Sequence, residues 1–332
     1  MKKTIALVIS FVLLFFCAIS GVSVAEGGQV NVVATIFPVY DWVREVVGDG
    51  MDHINLTLLL DSGVDLHSYQ PTAQDILTIS TADLFIYVGG ESDEWVEDVL
   101  TTAMNPDLKA INLVEAMGED IKAEEIVEGM EHEHDHDEED EDHDHEEHDH
   151  EGEEEADEHV WLSLRNAQKL VNVIAGKLSE IDPENGDRYR ANAAAYNEKL
   201  AALDRQYLEV AENAAVKTVL FGDRFPFRYL ADDYGLSYYA AFAGCSAETE
   251  ASFETILFLA EKVDELGLKT VLKLDNTDGR IAETVINTTR SKDQKIVTMN
   301  SMQTVTAQDV QNGARYLAIM EENLEAMKEA LR

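Results

Sequence analysis

The sequence predicts an α/β protein: two βα lobes joined by one long rigid helix, with a ligand cleft between the lobes. Three observations carry that expectation. Short β-branched runs alternate with stretches of helical spacing, as parallel strands and their covering helices do. The alternation comes in two series, separated by a long stretch whose apolar spacing is helical throughout. The chain has 332 residues, more than one hydrophobic core usually organises. The expected units are residues 29–180 as a first lobe, 183–213 as the linking helix and 215–332 as a second lobe. In open α/β sheets ligands bind beyond the carboxyl ends of strands, so the loops after these strands should face a shared cleft.

Residues 1–25 read as an export signal, with Lys2 and Lys3, an uncharged apolar run from Thr4 to Ile19 and a small-residue exit at Ser23-Val24-Ala25. The mature chain is then expected to begin near Glu26 and to work outside the cytoplasm, in a periplasm or on the outer face of the cell membrane. An uncleaved anchor competes with this reading, because the uncharged run extends through Ala25 to near spanning length. Lipid attachment at Cys17 is disfavoured by Phe15 and Phe16, where lipoprotein signals need small residues. With the signal removed only Cys245 remains, so no intrachain disulfide can form and stability must come from burial.

Gln29 to Phe37 is a β-branched run ending at Pro38, and Val39 to Val47 follows as its helix. His53 to Leu60 reads as a second strand and Asp61-Ser62-Gly63 as its turn. Val64 to Gln70 is then a strand-to-helix loop before a helix from Thr72 to Ser80. Asp83 to Val88 is a third strand closed by Gly89-Gly90, Ser92 to Thr102 a helix, and Ala110 to Leu113 a short fourth strand. After the next loop, Leu164 to Leu178 has helical spacing. From Tyr189 through Ala193, Tyr196, Leu200, Leu203 and Tyr207 to Val210 the apolar positions form one seam, expected to pack on the chain's own lobes. A coiled-coil dimer is the competing use, but such seams usually extend over more heptads, so a monomer is expected. The second series has strands at Thr218 to Phe221, Leu236 to Phe242, Thr270 to Leu274 and Ile296 to Met299. Its helices are expected at Ser252 to Leu266, Gly279 to Thr288 and Ala307 to Leu331.

Late in the first lobe stands a run unlike the rest. Residues 131–158 hold nineteen carboxylates and no Lys or Arg, and eight of the chain's ten histidines fall between residues 131 and 161. Such a segment cannot bury enough apolar surface to offset its ordering entropy and charge repulsion. Interleaved imidazole and carboxylate suit borderline divalent cations such as zinc. A tract that merely keeps the chain soluble is the plainer reading. The formal net charge is −41 for the whole chain, of which this run supplies −19. A surface so acidic repels nucleic acid and anionic lipid and attracts cations.

Of the polar residues expected just past strands in the first lobe, His67 and His159 stand out. Zinc binds neutral imidazole nitrogen at about 2.0–2.1 Å, and sites that keep an open position are common. Two histidines, a carboxylate and an open position also describe a secreted zinc hydrolase. Neither histidine stands in an HExxH, no GxSxG accompanies them and no evident general base stands beside either, so no enzyme is expected.

Gly63-Val64-Asp65-Leu66-His67-Ser68-Tyr69-Gln70-Pro71-Thr72 and Glu158-His159-Val160-Trp161-Leu162 resemble the two signature stretches of the metal-binding receptors of ABC importers. The likeness runs from about Val30 to the end of the chain. It implies an extracytoplasmic receptor of two βα lobes that holds zinc, or less fittingly manganese, in the cleft and delivers it to a membrane permease. It also implies His67 and His159 as ligands. In the second lobe the chain departs from the pattern. Arg224 stands where zinc members place a third histidine, three residues before Phe227-Arg228-Tyr229, and a guanidinium cannot ligate a metal. Asn300 stands where many members place an aspartate. Two candidates for the third ligand stay open: Asp223, beside the lost position, and Cys245, directly after the expected strand Leu236 to Phe242. A thiolate would favour zinc over manganese. The plainer readings are that Asp223 pairs with Arg224 and that Cys245 is a buried small hydrophobe. A surface zinc buffer or adhesin without a transporter would use the same site.

Overall fold

The computed structural model describes residues 29–130, 155–246 and 250–332. The expected export signal and nearly all of the acidic, histidine-rich run lie outside the described residues. Within them the chain forms two four-stranded parallel sheets of the same strand order. In the first, Val30–Ala34 (β1) pairs with Ile54–Leu58 (β2) on one side and Leu84–Tyr87 (β3) on the other, and Lys109–Asn112 (β4) pairs with β3. In the second, Thr218–Phe225 (β5) lies between Ser237–Ala243 (β6) and Thr270–Leu274 (β7), with Lys295–Met299 (β8) outside β7. Val32, Val33 and Ala34 of β1 are consecutive and all buried, as expected where helices cover both faces of a parallel sheet.

Local signals account for most helix starts. The first helix, Phe37–Val47 (α1), begins two residues before the expected Val39, because Pro38 in the first turn has no N–H to leave unpaired. Thr72 and Asp75 form a reciprocal capping box at Ala73–Ser80 (α2). Trp95–Thr101 (α3) and Leu113–Met117 (α4) follow. Leu113, expected to end the fourth strand, opens this helix instead, because Asn112 accepts from Glu115 N and turns the chain at once. Ser163 caps Leu164–Ile181 (α5) by accepting from Arg165 N and Asn166 N.

The long helix runs from Gly186 to Asn213 (α6). Its seam buries Tyr189, Ala193, Tyr196, Leu200, Leu203 and Tyr207 as spaced, but ends on buried Ala211 rather than Val210. A pattern repeating every 3.5 residues drifts on a helix of 3.6 per turn, so the last contact falls one position later. The seam packs on α5, on α1 and on the last helix of the chain, so this chain covers it itself.

Arg228–Tyr234 (α7), Phe253–Leu266 (α8) and Arg280–Thr288 (α9) complete the crossovers of the second lobe. The single helix expected from Ala307 to Leu331 is in fact two, Ala307–Gln311 (α10) and Tyr316–Ala330 (α11). Gly313 breaks it at φ +99°, and Tyr316 N then donates to the buried Asp41 of α1 at 2.8 Å. One apolar core runs through both lobes by way of α5, α6 and α11, and a second, smaller one lies between the β5–β7 sheet and helices α8 and α9. The two lobes are therefore braced against each other by a shared apolar core.

Candidate metal centre

His67 lies in a short 3-10 turn, Leu66–Ser68, after β2. Asp65 shapes that turn by accepting from His67 N at 3.1 Å, and it also accepts from Arg224 Nη2 of β5 at 2.9 Å. One carboxylate thus orders the histidine loop and ties it to the other lobe. Burial works against ionising Asp65, yet the Arg224 guanidinium, aided by His67, holds its carboxyl below the ordinary value.

His159 is fully buried at the start of the turn Val160–Leu162. Asp157 Oδ1 accepts from His159 N at 2.9 Å and faces its Nδ1 at 3.0 Å. The second lobe grips this stretch from both sides. Tyr229 OH donates to Asp157 O at 2.9 Å, and Trp161 Nε1 donates to Ser301 O at 2.9 Å.

The two rings converge, with His67 Nε2 and His159 Nε2 3.2 Å apart. Their tautomers follow from the partners. A carboxylate only accepts, so His159 carries its proton on Nδ1, and its Nε2 presents a lone pair. His67 Nε2 accepts from the Gln303 amide, so its Nδ1–H faces Ser92 Oγ at 2.8 Å. Both bare nitrogens therefore point at one place, each ring fixed from behind by a hydrogen bond of the kind that orients metal-bound histidines. Burial, and then the neighbouring His159, push the His67 imidazole's pKa well down.

The third candidate ligand in this group is Cys245. The donor atoms of His67, His159 and Cys245 lie within 4.8 Å of one another. Cys245 follows β6, and its N–H donates to Glu124 Oε1 at 2.9 Å. Burial, then the charges of Glu124, Glu158 and Asp157, push the thiol's pKa far up. Gly244 beside it packs tightly, since a Cβ there would meet His159 Cε1 at 3.1 Å and Phe225 O at 3.0 Å and would press on both.

Asp223 stands apart from this group. The register of β5 against β6 shifts between Phe221 and Arg224, and the bulge turns Asp223 toward the end of β7. There its Oδ2 accepts from Leu274 N at 3.0 Å and from Thr277 Oγ1, while Oδ1 accepts from Arg224 N. Asn300 is likewise engaged: its Oδ1 accepts from Met302 N at 2.7 Å and shapes the turn after β8. That turn delivers a residue sequence reasoning missed. Gln303 is buried, and its Nε2 lies 3.1 Å from His67 Nε2 and 3.2 Å from His159 Nε2. Nothing in a lone glutamine after a strand marks it in the sequence.

Solvent reaches the site through an acidic mouth. A cavity of about 380 Å³ is lined by His67, Ser92 and Cys245 together with Glu91, Glu94, Glu124, Glu155 and Glu158. Glu158 Oε1 accepts from Ser92 N at 2.9 Å, while its buried Oε2, with no hydrogen-bond partner among the described residues, lies 3.8 Å from His67 Nδ1. Burial raises the Glu158 pKa. Glu91 is raised as well, by burial and then by Glu155. Crowded carboxylates that resist ionisation are the ones a passing dication relieves.

Imidazole and thiol groups gathered between two parallel-sheet lobes, behind an acidic mouth, define the class: a two-lobed α/β protein with a candidate site for a borderline divalent cation. The chain belongs to the ZnuA family, zinc-uptake complex component A periplasmic, whose profile matches residues 32–330. Among curated relatives, the zinc-binding lipoprotein AdcA of Streptococcus pneumoniae is 34% identical over 331 residues, which are 99% of this chain but 61% of the relative. This chain therefore spans about three fifths of AdcA's length. The high-affinity zinc uptake system protein ZnuA of Bacillus subtilis is 30% identical over 92% of this chain and 89% of its own. Among solved structures, the Zn(II)-bound ZnuA-like domain of Streptococcus pneumoniae AdcA matches with TM-score 0.69 at 30% identity, covering 92% of this chain and 99% of that one. The metal-dependent lipoprotein YcdH from Bacillus subtilis matches with TM-score 0.71 at 27% identity, over 91% of this chain and 99% of its own.

Proposed function

We propose that this protein is the extracytoplasmic zinc receptor of an ABC importer: it captures Zn²⁺ between its lobes and hands it to a membrane permease. The observation that carries the reading is the convergence of His67, His159 and Cys245, one ligand atom of each lying within 4.8 Å of the others. Two imidazoles and a thiolate suit zinc, and a soft sulfur donor counts against manganese. Asp223 is outside the ligand set in this reading and serves as a structural clasp on β7. The protein performs no chemistry on its cargo. The acidic mouth draws the cation in, and the preorganised rings spare the cost of ordering ligands after it arrives.

The test has two parts. Purified protein is titrated with Zn²⁺ and Mn²⁺ by competition against a chelator, and the zinc-loaded form is added to its cognate permease in proteoliposomes. Tight zinc binding together with stimulated ATPase activity is the expected result. Tight binding without any effect on the permease returns the protein to the surface buffer or adhesin reading, and weak zinc binding removes the receptor reading altogether.

A further inference from the structure

We propose that Arg224 is the positioning residue of the metal site: without touching the ion, its guanidinium holds the His67 and Cys245 loops at ligand spacing and so sets how long zinc stays bound. This rests on the zinc-receptor reading. The contacts carry it. Arg224 stands next to the end of β5, opposite Phe242 of β6. Its Nη2 donates to Asp65 Oδ2 at 2.9 Å, and its Nη1 donates to Ser246 O at 3.3 Å. Asp65 passes the first contact on, because its Oδ1 accepts from His67 N at 3.1 Å. Ser246 passes on the second as the chain neighbour of Cys245. One planar group therefore spans the loop after β2 in the first lobe and the loop after β6 in the second.

The two ligands it serves are the ones that need holding. His67 sits in a three-residue turn and Cys245 just past the end of its strand, and both are only partly buried. His159 is fully buried and held separately, through Asp157, Tyr229 and Trp161. The Asp65–Arg224 pair is itself shielded, with side chains 16% and 15% exposed, so salt screens it less than a surface pair. A guanidinium carries its donors in a rigid planar fork that can grip two acceptors at once, whereas an ammonium replaces the charge without the second grip. Charge and position then pull in opposite directions. A fixed cation near a dication repels it, so if Arg224 acted by charge alone its removal would tighten zinc binding. As a positioning group its removal frees two ligands, and ordering them again costs affinity.

Zinc release is timed by mixing the loaded protein with excess chelator, for the unaltered protein, Arg224→Met and Arg224→Lys. The first substitution keeps the stem without the charge, and the second keeps the charge without the fork. Each protein is also loaded with Co²⁺, whose thiolate charge-transfer absorption reports whether Cys245 is on the metal. The expected result is that both variants release zinc at least ~10-fold faster, with the thiolate absorption weakened. A smaller change or slower release in either variant overturns the proposal, as does faster release with the absorption intact, because Cys245 has then kept its place. Should Arg224→Met fail to fold with Asp65 left unpaired, Arg224→Lys decides alone by the same two measurements. Thiolate absorption missing from the unaltered protein takes Cys245 off the metal and overturns the proposal too. Failure of the unaltered protein to bind zinc tightly would instead sink the receptor reading, so the two failures are told apart.

Discussion

His67 and Cys245 answer to protons in opposite ways. Burial and the neighbouring His159 lower the His67 pKa, so at neutral pH its lone pair is free. The buried, carboxylate-flanked thiol is raised, so it must shed a proton to bind as thiolate. Zinc affinity should therefore climb ~10-fold per pH unit near neutrality, with about one proton released per ion. Calorimetry in buffers of different ionisation heat measures that count, and a flat profile would exclude Cys245 as a thiolate ligand. His67→Ala and His159→Ala should each abolish tight binding, and Asp157→Ala should weaken it ~10–100-fold by freeing the His159 ring. Cys245→Ser should also lose affinity. Asp223→Ala should instead keep affinity and lower stability by about 1–3 kcal/mol, because it strands the buried Leu274 N–H. Wild-type affinity in Cys245→Ser with loss in Asp223→Ala would reverse that assignment.

Among the elements, the turn after β3 and the long helix make separable contributions. Asp93 closes the turn by accepting from Val88 N at 2.8 Å and Gly89 N at 3.0 Å, and burial raises its carboxyl to about 6 from the ordinary 3.8. A folded-state value above the unfolded one means that the native state binds the proton more tightly. The ionised form therefore costs stability, increasingly as pH rises from 3.8 to about 6, and the cost is complete above that. Asp93→Asn keeps an acceptor without the charge, so it should raise the melting temperature at neutral pH and lose that advantage as pH falls toward 4. An advantage that grows in acid would refute the sign. In α6, Leu200 is fully buried in the seam against neighbouring helices. Leu200→Ala should cost about 2–5 kcal/mol by denaturant melting yet leave zinc affinity unchanged, since the seam does not touch the site.

On the scale of the whole molecule, charge and bracing divide the work. The net charge of −41 and the carboxylates around the cavity favour cation approach, an effect that salt screens over about 8–10 Å. Residues 131–154 supply much of that charge and seven of the histidines by composition. Deleting them should remove weak, extra zinc equivalents and slow capture at low ionic strength, while the tight equivalent survives. Loss of the tight equivalent on deletion, or an unchanged stoichiometry, would end the auxiliary-trap idea. The continuous core through α5, α6 and α11 braces the lobes, and the Asp65–Arg224 pair ties them at the site. Arg224 thus acts as a bridge at the position where a third histidine was expected.

The sequence alone determined the two βα series, the long helix and the histidine pair, because these rest on local signals: β-branched runs, caps, an apolar period and two short motifs. It could not choose between Asp223 and Cys245, and it passed over Gln303. Which way Asp223 faces depends on a register shift between β5 and β6, a property of strand pairing rather than of either strand. Gln303 meets His67 across 236 residues of chain, and Cys245 and His159 come from different lobes. Only the packing of two sheets around one core sets such distances. A bulge of one residue therefore decides which way a carboxylate faces, while leaving no trace in composition or periodicity.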